Sequence, residues 1–99
     1  MLSIKVHEAY RRVIAVCDPE LIGKYFEKGK LQLKVKKEFY EGEEKTEEEA
    51  IEILREAKID YAIFNFVGKR AVDTAIKAGI IDKKGVIKID NVPHALSLL

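Results

Sequence analysis

Apolar and polar residues alternate at the N-terminus. Ile4 and Val6 point one way and Lys5 and His7 the other, which predicts a half-buried strand over residues 3–8 with His7 toward water. Residues 12–17 follow two arginines as a continuous apolar run, a more buried strand. The short link at Ala9-Tyr10 makes the two an expected hairpin. Asp18-Pro19-Glu20 then opens a predicted helix, with proline at the first helical position. Leu21, Ile22, Tyr25 and Phe26 form its stripe, Gly23 weakens it and Gly29 stops it. Leu31, Leu33 and Val35 alternate with Gln32, Lys34 and Lys36, a strand with one basic face.

Residues 39–45 are expected as a polar loop anchored by Phe39 and Tyr40. Thr46-Glu47-Glu48-Glu49 matches a capping box, in which the hydroxyl accepts from the third helical amide and Glu49 reaches back. Ala50, Ile53, Leu54 and Ala57 continue that helix to about Lys58. Residues 61–67 are apolar on both faces except Asn65, as in a central strand. Gly68 follows, then a helix through Ala71, Val72, Ala75 and Ile76 to Gly79, then a strand over residues 86–89. This is a βαβ unit. Pro93 is expected to interrupt, with a short terminal strand over residues 95–99. The fold class predicted is α+β: one domain over residues 1–99, a mixed sheet of about five strands, an N-terminal hairpin, a C-terminal βαβ unit and two or three covering helices.

Composition narrows the function classes. The 99 residues support one domain, and no run of 18 apolar residues is present to span a membrane. The N-terminus lacks a signal peptide's apolar stretch, so a cytoplasmic location is expected. The single cysteine, Cys17, excludes an internal disulfide, and with only two histidines no metal site or cofactor is expected. Abundant Lys, Glu and Ile with few Gln, Asn, Cys and Met fit a hyperthermophile. The net charge of +1 conceals a pattern: residues 38–56 hold two basic against nine acidic side chains, between two basic segments.

The groups that could carry chemistry are few. Asn65, Gly68, Lys69 and Arg70 place a polar residue late in a buried strand, then a glycine turn, then two cations on a helix's first turn. Free amides beside cations make an anion site, suited to a phosphate or an RNA backbone; solvated cations after a permissive glycine are the alternative. Pro93 fixes the approach of His94, a possible base, donor or ligand. Cys17 and Asp18 sit where a buried strand meets a helix, with no histidine nearby in sequence to activate the thiol. Lys34 and Lys36 present a basic strand face, which Lys5 and His7 could extend.

Four segments together resemble a known family: Ala15-Val16-Cys17-Asp18-Pro19-Glu20-Leu21-Ile22-Gly23-Lys24, Phe39-Tyr40-Glu41-Gly42, Asn65-Phe66-Val67-Gly68-Lys69-Arg70-Ala71-Val72 and Val92-Pro93-His94-Ala95. In this order they resemble the archaeal domain of unknown function 424 family across nearly the whole chain. The resemblance implies a compact α+β domain standing alone in archaeal cytoplasm, in the company of the translation machinery, and it implies no established activity. Residues 61–66 are richer in aromatics than that family's usual strand.

The leading expectation is a non-enzymatic RNA- or ribonucleoprotein-binding module, with Lys69, Arg70, Lys34 and Lys36 on phosphates and Gly68 cradling one. A protein partner or homodimer using Tyr61, Phe64 or Phe66 is second. A small-ligand or enzyme site joining Asn65, Arg70, His94 and Cys17 at one sheet edge is third.

Overall fold

A computed structural model describes residues 1–97, in three layers around a mixed sheet. The sheet has six strands: β1 (Leu2–His7), β2 (Val13–Cys17), β5 (Glu43–Lys45), β6 (Ile63–Val67), β7 (Ile87–Ile89) and β8 (Val92–Ser97). Their order is β5-β1-β2-β6-β8-β7. β2 and β6 are parallel and every other pair is antiparallel. Two helices, α2 (Glu47–Ile59) and α3 (Lys69–Lys77), cover one face, where Ile4, Ile14, Val16, Phe64 and Phe66 are buried. The other face, with Ala15, Cys17 and Val67, lies under a second sheet of β3 (Tyr25–Lys28) and β4 (Leu31–Lys34) and a short helix α1 (Lys37–Tyr40).

The N-terminal hairpin forms, with Ser3 opposite Cys17 and His7 opposite Val13, but the expected alternation holds only to Ile4, since Val6 is 43% exposed. α2 begins on the capping box, Glu49 N donating to Thr46 Oγ1 and Thr46 N to Glu49 Oε1. β6 lies inside the sheet, and its alternate residues Phe64 and Phe66 are fully buried and stacked at 5.9 Å. The βαβ unit is present in a split form: β6 and β7 run parallel, but β8 returns between them.

Three expectations change. Residues 18–29 do not form a helix; a single 3-10 turn (Pro19–Leu21) leads into β3. Gly23 (φ +87°) redirects the chain, and Gly29 (φ +61°) turns β3 into β4 rather than ending a helix. Tyr25 is exposed while Phe26 packs inward, so the period there is two. Residues 39–45 are not a loop but contain the end of α1 and β5. Three charged or polar positions on an edge strand leave no alternation to read. Pro93 lies inside β8, where its carbonyl accepts from Gly68 N at 2.9 Å. The terminal strand therefore starts earlier, at Val92; Leu98 and Leu99 lie outside the described residues. The mixed sheet of about five strands is present with six, and a second sheet adds two. No helix among the described residues is long and apolar enough to cross a membrane.

Candidate functional site

The parallel register sets Cys17 beside Val67 and so brings Asp18 against Gly68. Asp18 N donates to Val67 O at 3.0 Å. The buried Asp18 carboxylate accepts from Arg70 N at 3.2 Å and Ala71 N at 2.8 Å, two of the free amides of α3. The negative charge that a helix N-terminus favours is therefore supplied from within the chain. Gly68 has φ +107°, and a Cβ there would collide with the Asp18 carboxyl. Glycine thus makes room for Asp18, and a phosphate would have to displace that carboxylate. The Arg70 guanidinium turns away to Glu20 Oε1. Its pKa is raised, chiefly by that bond. Glu20 is lowered, first by a bond to its own backbone amide, with desolvation opposing and Arg70 and Lys24 adding to the fall.

Cys17, Asn65 and His94 share the sheet face beneath the β3–β4 layer, since Cys17 pairs with Val67 and Val67 with His94. Arg70 is not with them; it starts the helix on the opposite face. Each polar group of this set is engaged internally. Tyr40 Oη donates to Asn65 Oδ1 at 2.7 Å, and His94 Nδ1 meets Phe66 O at 2.9 Å. Cys17 Sγ donates to Asp18 O at 3.2 Å. Burial, then the neighbouring Asp18 and Glu20, push the thiol up to about 12, opposite to what a nucleophile needs. Tyr40 is also pushed up to about 12, mainly by burial. His7 is half-buried rather than turned to water: it stacks on Phe39 at 4.6 Å, and Nε2 meets Phe39 O at 2.8 Å.

The exposed cations gather elsewhere. In β3–β4, Phe26 pairs with Leu33 and both pack inward, while Tyr25 pairs with Lys34 on the outer face. Residues 24–37 carry Lys24, Lys28, Lys30, Lys34, Lys36 and Lys37 against one carboxylate, Glu27. All six lysines are exposed. Tyr25 is 48% exposed and its hydroxyl donates to Glu27 at 2.7 Å. A shallow groove of about 440 Å³ runs past Tyr25 between Lys24, Lys34, Lys36 and Lys37, with Glu38 as its one carboxylate.

The model of the family described as protein of unknown function (DUF424) matches residues 7–98. The chain belongs to the DUF424 family. A crystal structure of an uncharacterized conserved protein from Methanopyrus kandleri has the same fold, with TM-score 0.85 and 24% identity over 96% of this chain and 88% of that one. No protein of curated function matches the chain.

In this DUF424 chain the four segments that carried the resemblance converge on one place. Asp18 caps α3, Tyr40 binds Asn65, and Pro93 O accepts from Gly68 N. The contacts among them build the junction between β6 and α3. Lys34 and Lys36 lie on the expected basic strand, whereas Lys24, Lys28 and Tyr25 fall in the segment whose spacing predicts a helix. Lys28-Gly29-Lys30-Leu31 held the usable signal, a glycine-led two-residue gap between alternating runs.

Proposed function

We propose that this protein is a non-enzymatic RNA- or ribonucleoprotein-binding module acting in the cytoplasm, with the β3–β4 hairpin as its contact face. One observation carries the reading: six exposed lysines gather on and beside the β3–β4 hairpin. The hairpin layer holds six lysines against Glu27 and Glu38, while α2 on the opposite face opens with Glu47, Glu48 and Glu49 and adds Glu52 and Glu56. The local positive field of these lysines draws a polyanion onto the hairpin even at net charge +1. Lys34 and Lys36 supply phosphate contacts, and Tyr25 supplies a ring on which a base can stack. Arg70, held by Glu20, drops out of the contact set.

The test is fluorescence anisotropy with single-stranded RNA. Four phosphate contacts on a single strand predict a salt slope near −3, about a fifty-fold loss of affinity between about 50 and 200 mM salt. Lys34→Glu/Lys36→Glu abolishes most of that binding, and Arg70→Glu leaves it nearly intact. Absence of wild-type binding at low salt rules the reading out.

A second reading rests on a different observation. Tyr10, Ile59 and Tyr61 are exposed at the end of the sheet where the β1–β2 and α2–β6 links meet. Tyr61 has φ +59°, and Arg11 holds its carbonyl with two donors, Nε at 2.9 Å and Nη2. A bulky residue in that conformation is strained. Three large exposed apolar side chains together favour a protein-docking role for this end. Phe64 and Phe66 have no part in it, being core. Tyr10→Ser/Tyr61→Asn would then abolish capture of a partner by cross-linking while leaving RNA binding unchanged.

A further inference from the structure

We infer that a second site, on the helix side of the sheet, binds a mononucleotide: a flat ring bearing a phosphate monoester. It is a groove of about 470 Å³ between α3, the turn at Lys83–Gly85 and the edge strand β7. That volume suits a small ligand. Its floor is apolar, made by Val72, Ile76, Val86 and Pro93. Three ammonium groups line it from three elements: Lys69 on α3, Lys83 on the turn and Lys88 on β7. Asn91 closes one end from the tight turn between β7 and β8, where Asp90 (φ +51°) and Asn91 (φ +66°) are both left-handed.

Charge narrows the ligand. Asp73 is the one carboxylate lining the groove. Among the described residues, Arg12, Lys37, Lys45, Arg70 and Lys77 are in ion pairs, while Lys69, Lys83 and Lys88 are in none. The groove is therefore left with an excess of two positive charges, which matches a phosphate monoester of about −1.5 to −2 near neutral pH. A carboxylate ligand supplies half of that. The apolar floor takes the face of a ring, and the Asn91 amide can both donate to and accept from a base edge. The Arg70 and Ala71 amides of α3 are already held by Asp18, so the lysine side chains carry the anion contacts here.

This site stands apart from the hairpin, and neither needs the other. The wild-type chain is titrated with AMP, GMP, CMP and UMP, and separately with inorganic phosphate and with adenosine. Binding is followed by amide NMR shifts. At least one nucleotide is expected to bind saturably, shifting Val72, Val86, Lys88 and Asn91 and leaving Tyr25 and Val35 unmoved. It should bind at least tenfold more tightly than phosphate or adenosine alone. Lys83→Glu/Lys88→Glu, both surface changes, should weaken it at least tenfold with an otherwise unchanged spectrum. No saturable shift with any nucleotide overturns the site. Phosphate binding as tightly as the nucleotides overturns the nucleotide class, and so do shifts confined to the hairpin. RNA binding at the hairpin can fail while nucleotide binding here succeeds, so the two outcomes separate.

Discussion

Asp18 takes the place of a bound anion at the start of α3, and the cost of removing it is readable. Asp18→Ala leaves two α3 amides without a partner and is expected to lower stability by about 3 kcal/mol in denaturant melts. Asp18→Asn keeps an acceptor and loses less. A Gly68 side chain would meet both an unfavourable φ and the Asp18 carboxyl, so Gly68→Ala should cost at least about 2 kcal/mol. Cys17 and Tyr40 set an alkaline limit. Their ordinary values are 9.0 and 10.0, and both rise to about 12 in the fold. Above pH 9 the unfolded chain therefore releases protons that the folded chain still holds, so stability is unaffected by these groups below about pH 9 and falls as pH rises toward about 12. Thermal melts across that range check the sign, and Tyr40→Phe should flatten part of the fall. Cys17, Asn65, Gly68 and His94 were visible in the sequence as polar or glycine breaks in apolar surroundings. Their partners were not. Asp18 and Ala71 are 53 residues apart, and only the β2–β6 register, which no local pattern encodes, sets them together.

Elements were legible where two local signals agreed. α2 has both a capping box and a helical stripe, and β6 has length, apolar content and a following glycine. Thr46→Ala should lower stability by about 1 kcal/mol in chemical melts, without displacing the fold. The segment at residues 19–28 failed because its signals disagreed. Asp18-Pro19 opened a helix that Gly23 broke within one turn, and Asp18 spent its side chain on α3 instead of on its own segment. Leu21, Ile22, Tyr25 and Phe26 mimic helical spacing, yet Phe26 packs inward and Tyr25 faces out. β5 was illegible for a different reason: Glu43 and Glu44 make a charged edge that β1 pairs through backbone alone.

At the scale of the molecule, the sheet sets an acidic helix and a lysine-rich hairpin on opposite faces. Sequence counts exposed an acidic segment between basic ones, but only the layering puts α2 on one face and the lysine hairpin on the other. The same layering makes the α3 N-terminus a structural junction and moves the expected RNA contact to Lys34, Lys36 and Tyr25. The most direct test maps amide NMR shifts as a short single-stranded RNA is added at low salt. Shifts concentrated in residues 24–37 and erased by Lys34→Glu/Lys36→Glu are the predicted result. A spectrum that RNA leaves unchanged, or one that moves only at α2, contradicts it.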